Sequence, residues 1–125
     1  MSKKRILVVD DDNISRTILY GFLKNEDNYI VETVKSGRDC LNFIKLNNVD
    51  LIISDVVMDN IDGLELIETL LSKEETSKIP VILSSIKDES EIIRKSRNYS
   101  NVRKVVQKPY DRNLLVSDLK EIFAV

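Results

Sequence analysis

The chain contains no histidine and a single cysteine, Cys40, among its 125 residues. The absence of histidine excludes Ser-His-Asp and Cys-His catalysis, histidine-ligated zinc and any histidine-based pH switch. One cysteine permits neither an internal disulfide nor a paired-cysteine metal site. Because nothing in the sequence points to an oxidising compartment, we expect a cytoplasmic protein.

Glycine, proline and long apolar runs are also scarce. Three Gly and two Pro leave no linker-like segment, so we expect one domain over residues 1–125. Apolar runs such as residues 6–9 and 79–83 fall far short of the roughly 18 residues that a membrane span needs. Nineteen Lys and Arg against 21 Asp and Glu give a net charge of −2. This balance argues against direct nucleic-acid binding, and the short runs argue against a membrane partner.

Short apolar runs rich in β-branched residues alternate with helical patterns. The runs are residues 6–9, 51–53, 81–83 and 105–106, with 29–31 a weaker fifth. They lack polar alternation, which is typical of parallel strands buried on both faces. Apolar residues at helical spacing lie between and after them: Ile14, Ile18, Leu19, Phe22 and Leu23; Leu64, Ile67 and Leu71; Leu115, Leu119, Ile122 and Phe123. Five β-α units predict an α/β fold, a single doubly wound (βα)5 domain with helices on both faces of a parallel sheet.

Several polar residues have the spacing of helix N-caps. Ser36 with Asp39, Asp62 with Glu65, and Asp88 with Glu91 fit a capping box or its acidic variant, and a last helix is predicted from near Asp111. Asp12 or Asn13 can cap the first helix in the same way. Cys40, at helical spacing from Phe43 and Ile44, is interpreted as a half-buried core thiol.

Polar side chains follow the apolar runs at the point where each predicted strand ends. The ends carry Asp10, Asp11 and Asp12; Ser54 and Asp55; Ser84 and Ser85; and Gln107 and Lys108. In such sheets ligands bind outside the carboxyl ends of the strands. Two carboxylates about 4 Å apart repel by roughly 4 kcal/mol at an effective dielectric constant near 20, so a cluster of three needs cations.

Oxygen ligands without histidine or cysteine favour a hard ion such as Mg²⁺. Together with the ammonium of Lys108, a divalent ion would neutralise three carboxylates. A carboxylate nucleophile, a metal, a lysine and a hydroxyl can hold a transferring phosphoryl group. The strand ends therefore predict acceptance of a phosphoryl group on an aspartate.

Four motifs follow one another along the chain: residues 6–12 (ILVVDDD), 50–58 (DLIISDVVM) with 62–63 (DG), 79–85 (IPVILSS) and 108–110 (KPY). With these motifs the chain resembles, from end to end, the receiver domains of two-component response regulators. The resemblance implies the flavodoxin-like strand order 2-1-3-4-5.

The resemblance also implies roles for individual residues. By position, Asp55 matches the phosphoacceptor, and Asp10 and Asp11 match the acidic pair that holds Mg²⁺. The backbone carbonyl of Val57 matches a further metal ligand. Mg²⁺ is thus the implied cofactor, with Asp10, Asp11, Asp55 and Val57 as its ligands.

Two more positions complete the implied site. Ser85 matches the switch hydroxyl, and Lys108 matches the lysine that pairs with the phosphoryl group, with a cis peptide before Pro109. The implied donor is a phosphohistidine on a sensor histidine kinase or histidine phosphotransfer protein. The implied output is a changed surface around the fourth predicted helix and the fifth strand, which a downstream protein or domain, or a phosphorylation-dependent homodimer, would use.

Three positions depart from the family pattern. Asp59 stands where the family usually has proline, and we expect it to tune metal affinity. Ile86 stands where a small residue is preferred, and we hypothesise that it hinders access of water or a phosphatase to the phosphoryl group. Val105 replaces the usual aromatic residue, so a ring-flip readout cannot operate there.

Two other functions stay open on the sequence alone. Asp10 and Asp12 also satisfy the Asp-x-Asp of haloacid-dehalogenase-type phosphatases, with Ser84 or Ser85 and Lys108 following. Such enzymes need a further acidic pair after the lysine, where only Asp111, Asp118 and Glu121 remain. A pseudo-receiver, which binds partners without phosphorylation, is the second alternative. The receiver interpretation predicts self-catalysed phosphorylation and dephosphorylation rather than turnover of external substrates.

Overall fold

The computed structural model describes residues 3–58, 61–86 and 90–124. The strands are β1 Lys4–Val9, β2 Tyr29–Val34, β3 Leu51–Asp55, β4 Val81–Ser85 and β5 Val102–Gln107. The helices are α1 Asn13–Leu23, α2 Gly37–Leu46, α3 Gly63–Leu71, α4 Glu74–Ser77, α5 Ser90–Ser96 and α6 Arg112–Phe123.

The five strands form one parallel sheet in the order β2-β1-β3-β4-β5, which confirms the predicted topology. The register places the end of β3 beside the end of β4, with Asp55 opposite Ser84. One element was not predicted. The helix α4 has only four residues, and its N-cap residue Lys73 makes no side-chain capping bond. So short a helix carries no apolar periodicity that a sequence pattern could show.

Apolar side chains cover both faces of the sheet. On one face, alternate strand residues pack with α1 and α6; the buried set includes Ile6, Val8, Ile53, Ile82, Leu19, Leu23, Leu115 and Leu119. On the other face the remaining strand residues pack with α2 and α3; this set includes Leu7, Val9, Ile52, Leu83, Cys40, Leu66, Ile67 and Leu70. Burial of each large aliphatic side chain contributes roughly 1.5–3 kcal/mol to the stability of the folded state. This two-sided burial explains why the strands read as continuous apolar runs.

The apolar stripe of α1 faces the core differently from the prediction. Leu19 and Leu23 are buried as expected, but Ile14 is 69% and Ile18 40% exposed. The buried row contains Ser15, Leu19 and Leu23, and its two leucines pack in the core beside the sheet. Ile14 and Ile18 precede that row by one residue, about 100° around a helix of 3.6 residues per turn, and so face outward.

The helix starts match the prediction, whereas the core thiol of Cys40 is buried more deeply than the half-buried position predicted for it. Asp12, Ser36 and Asp62 accept backbone N–H bonds at the starts of α1, α2 and α3, and Asp111 does so for α6. Asp88 lies outside the described residues. Cys40 is fully buried, and burial raises the pKa of its thiol to about 12. Within the described ranges, no helix has the length and apolar character needed to cross a membrane.

Candidate phosphoacceptor site

The carboxyl ends of four neighbouring strands bring the predicted polar residues to one edge of the sheet. Asp10 follows β1, Asp55 ends β3 and Lys108 follows β5. Asp10, Asp11 and Asp55 each offer a carboxylate oxygen, and these three oxygens lie within 4.8 Å of one another. Asp10 is 1% exposed, whereas Asp11 is exposed. Such a donor set, open on one side, fits a hard divalent cation.

Lys108 bridges two of these carboxylates. Its Nζ lies 2.9 Å from Oδ2 of Asp10 and 3.1 Å from Oδ2 of Asp55, and its side chain is 16% exposed. Burial alone would lower the pKa of Lys108, but the hydrogen bond to Asp10 and the charge of Asp55 outweigh burial and raise the pKa. The ammonium therefore stays charged between the two acids.

One ammonium does not neutralise the site. Burial, and after it the charge of Asp10, raise the pKa of Asp55 from 3.8 to about 6, although Lys108 and the backbone N–H of Val57 oppose this shift. A raised pKa is typical of a carboxyl group that is buried near another carboxylate with too few cations. The protein thus holds an excess of negative charge that a bound cation would relieve.

The first acidic loop is held by its own backbone and by Arg16. The N–H of Asp12 donates to Oδ1 of Asp10 at 2.9 Å, and Asp12 itself caps α1. Arg16 donates from Nη1 to the backbone carbonyl of Asp10 at 2.6 Å and from Nη2 to the side chain of Asn13. Arg16 was not predicted, because only the fold brings its guanidinium back over the loop.

Gly63 holds the loop that follows Asp55. Its N–H donates to the carbonyl of Val56 at 2.8 Å. A Cβ at this position would lie 2.6 Å from the carbonyl oxygen of Asp55 and 2.9 Å from the Cα of Val56, closer than atoms can approach without a shift. The start of α3 therefore packs directly on the backbone of the predicted phosphoacceptor, which explains the Asp62–Gly63 pair of the second motif.

The two serines at the end of β4 have different surroundings. The hydroxyl of Ser85 is buried and has no hydrogen-bond partner among the residues that the structure describes, while its carbonyl accepts from the N–H of Lys108 at 2.8 Å. Ser84 lies on the opposite face, because successive strand residues alternate, and its Oγ accepts from the hydroxyl of Tyr110 at 2.9 Å. A buried hydroxyl without a partner suits a ligand oxygen that the site has yet to receive.

Comparison with known proteins agrees with this geometry. The family model of the response regulator receiver domain matches residues 6–120. The chain belongs to this family. It is a receiver domain of two-component systems, with the parallel fold of that family and an acidic pocket that fits phosphoacceptance.

Solved structures with this fold come from several bacteria. The receiver domain is 31% identical to the signal receiver domain of a signal transduction histidine kinase from Syntrophus aciditrophicus, with a TM-score of 0.86 over 97% of this chain and 90% of that one. A protein from Chloroflexus aurantiacus is 25% identical, with a TM-score of 0.91 over 99% of this chain and 100% of that one. The chemotaxis response regulator CheY4 of Vibrio cholerae is 23% identical, with a TM-score of 0.86 over 98% of this chain and 100% of that one. At this identity the likeness shows the fold alone.

Three other predicted features lie around the acidic pocket of the receiver domain. The peptide between Lys108 and Pro109 is cis, as expected. Val57 is an exposed residue beside Asp55, and its N–H bonds that carboxylate; metal ligation by its carbonyl stays a prediction. Ile86 is 54% exposed and lines a cavity of about 540 Å³ with Lys108 and Tyr110. Asp59 lies outside the described residues.

The acids that a phosphatase would need after Lys108 are engaged elsewhere. Asp111 caps α6, accepting from the N–H of Leu114 at 3.0 Å. Lys104 pairs with Asp118 at 3.7 Å and with Glu121 at 3.2 Å. These contacts disfavour the haloacid-dehalogenase alternative.

Proposed function

We propose that Asp55 accepts a phosphoryl group from a phosphohistidine of a sensor histidine kinase or histidine phosphotransfer protein, in a Mg²⁺-dependent reaction. One observation carries this proposal: three carboxylates offer oxygens within 4.8 Å of one another, and the ammonium of Lys108 contacts two of these acids. Residues 1–125 contain no histidine, so the donor histidine lies outside this domain. We further propose that residues 1–125 form one receiver domain.

The proposed metal ligands are the carboxylates of Asp10, Asp11 and Asp55 and the carbonyl of Val57. All are oxygen donors, as Mg²⁺ prefers, and the excess negative charge that raises the pKa of Asp55 supports a cation at this position. When bound, the ion would offset negative charge on the carboxylates and on the incoming phosphoryl oxygens.

In the proposed transfer, an oxygen of the Asp55 carboxylate attacks phosphorus. The new O–P bond forms as the P–N bond to the donor imidazole breaks, and the bonding electron pair leaves with the nitrogen. Lys108, already paired with Asp55, offsets charge on the phosphoryl oxygens. The buried hydroxyl of Ser85 would donate to one of these oxygens, which supplies the partner that it lacks.

In the proposed output step, Ser85 moves toward the phosphoryl group and changes a binding surface. Ser85 ends β4, immediately before the connection to α5, and its neighbour β5 pairs with it through Gln107. A shift there would change the surface around α5 and β5, which a downstream output protein or domain, or a second phosphorylated copy, would recognise. In this proposal the domain acts in the cytoplasm and does not turn over external substrates.

The test is incubation with phosphoramidate, followed by intact-mass measurement. We expect the wild type to gain the mass of one phosphoryl group with Mg²⁺ and to gain none in chelator or as Asp55→Asn. Asp27→Asn, which changes an exposed turn carboxyl, is the matched control and should react like the wild type. Uptake that is independent of Mg²⁺ or of Asp55 would contradict the proposal. Turnover of a small phosphomonoester without stable modification would favour a phosphatase instead.

A further inference from the structure

A buried hydrogen bond joins β4 to the segment that carries Lys108. The hydroxyl of Tyr110 donates to Oγ of Ser84 at 2.9 Å, and Ser84 is 1% exposed. Ser84 is polar in a strand whose preceding residues, Val81, Ile82 and Leu83, are buried and apolar. A buried hydroxyl in such surroundings needs a partner, and Tyr110 supplies it.

This bond is one of two anchors on the three residues from Lys108 to Tyr110. The N–H of Lys108 donates to the carbonyl of Ser85 at 2.8 Å, and Tyr110 holds the other end through Ser84. The ring of Tyr110 also packs against the core cluster beneath α1 and α6. Lys108 is therefore fixed at both ends of its segment to two consecutive residues of β4.

Ser84 also holds the phosphoacceptor strand. The carbonyl of Ser84 accepts from the N–H of Val56 at 3.0 Å, and Ser84 is paired in register with Asp55. The end of β4 thus connects the backbone that carries Asp55 to the segment that carries Lys108. The 3.1 Å contact between Nζ of Lys108 and Asp55 therefore joins two segments that are both attached to the end of β4.

We propose that Tyr110 is a positioning residue for phosphoryl transfer, which acts through its hydrogen bond to Ser84 to hold Lys108 against Asp55. The inference rests on the proposed function and extends it to two residues outside the metal cluster. Burial raises the pKa of Tyr110 to about 12, so its hydroxyl keeps the proton that it donates. Loss of the bond would leave the Lys108 ammonium in place on average but less confined, and transfer rates are sensitive to such misplacement.

The first test needs neither metal nor phosphodonor. Amide hydrogen exchange of Lys108, measured by NMR, reports directly on the anchor to Ser85. In Tyr110→Phe and in Ser84→Ala we expect this exchange to be about threefold to tenfold faster, the change that loss of one net hydrogen bond allows. Tyr99→Phe is the matched control, since it removes a hydroxyl that donates to exposed Glu68 away from the site. The inference would be overturned if exchange at Lys108 were unchanged. It would also be overturned if exchange at the amide of Leu7 in β1 rose by the same factor.

The second test measures the rate of phosphorylation by phosphoramidate at saturating Mg²⁺. We expect Tyr110→Phe and Ser84→Ala each to slow it by about threefold to tenfold, with Mg²⁺ affinity within about twofold of the wild type. The double variant should be no slower than either single one, because all three lack the same bond. Effects that multiply in the double variant, or a normal rate in Tyr110→Phe, would overturn the inference. A wild type that takes up no phosphoryl group counts against the proposed function, while the exchange measurement still decides the role of Tyr110.

Discussion

Asp55 experiences more negative charge than its surroundings neutralise in the metal-free protein. Because burial and Asp10 raise its pKa from 3.8 to about 6, the folded state favours the protonated carboxyl. The resulting penalty is absent below the unfolded pKa and complete above the folded pKa, so stability falls as pH rises from about 4 to about 6. Asparagine, which has no charge to bury, escapes the penalty.

We therefore expect Asp55→Asn to unfold at higher denaturant than the wild type in chelator near neutral pH. A shift of about two pKa units corresponds to about 3 kcal/mol, and solvent access reduces the expected gain to roughly 1–3 kcal/mol. At about pH 4 the difference should nearly vanish. Asp27→Asn, the exposed control, should stay within about 0.5 kcal/mol at both pH values. A less stable Asp55→Asn in chelator near neutral pH would refute this charge balance.

Ile86 bears on the lifetime of the phosphoryl group. Its half-exposed side chain lines the cavity beside Lys108. If its bulk keeps water from the phosphoryl group, Ile86→Ala should shorten the phosphoryl half-life by about threefold to tenfold. Decay of the phosphorylated protein, followed by intact mass, measures this, with Leu46→Ala at the exposed end of α2 as the control. An unchanged half-life would remove Ile86 from the account of stability of the phosphoryl bond.

Sequence reasoning at the residue scale succeeded where strand order alone decides position. Asp10, Asp55 and Lys108 could be grouped because parallel strands end at one edge, and the structure brings them together. Arg16 and Tyr110 could not be assigned roles, because their contacts depend on how a helix and a loop fold back over the site.

At the scale of elements, α3 is tied to the site by a glycine. Gly63 leaves no space for a side chain against Asp55 and Val56, so Gly63→Ala must displace either α3 or the phosphoacceptor loop. We expect a loss of about 1–3 kcal/mol in the free energy of unfolding, as for overpacked core sites. Slower phosphorylation should accompany that loss, measured with phosphoramidate.

Gly21 in α1 provides the matched control for this change. A Cβ there meets nothing within 4 Å, and the residue lies inside a helix. Gly21→Ala should therefore stabilise the protein by about 0.5–1 kcal/mol and leave phosphorylation unaffected. Equal effects of the two alanines would show that the contact at Gly63 is unimportant.

Periodicity predicted the helices of the fold but not their exact orientation. The apolar stripe predicted for α1 combined two adjacent rows, and only the row with Leu19 and Leu23 is buried, whereas Ile14 and Ile18 are exposed. Adjacent rows differ by one residue, and both contain apolar side chains, so spacing could not choose between them. The four-residue α4 was missed because it is too short for any periodic pattern.

For the whole molecule, cation binding and folding should be coupled. A ligand that binds only the folded state raises stability with its concentration. Mg²⁺ should thus raise the melting temperature of the wild type, and Asp11→Asn should weaken Mg²⁺ binding by about tenfold or more, since it removes a charged ligand from an exposed position. Titration calorimetry gives the affinity directly.

Asp12 is the neighbouring control for that measurement. Its carboxylate caps α1, and asparagine caps helices equally well. Because Asp12 is not one of the three clustered carboxylates, Asp12→Asn should keep Mg²⁺ affinity within about twofold of the wild type. Equal losses in the Asp11 and Asp12 variants would mean that binding reflects general negative charge rather than the three-carboxylate site.

The most direct measurement locates the phosphoryl group on the chain. Borohydride reduces an acyl phosphate and so marks the modified carboxyl, which peptide mass spectrometry then identifies. After reaction with phosphoramidate and Mg²⁺, we expect the mark on Asp55 alone. A mark on Asp10, Asp11 or Asp12, or a phosphoryl group that survives as an ester on a hydroxyl, would contradict the assignment of Asp55 as the phosphoacceptor.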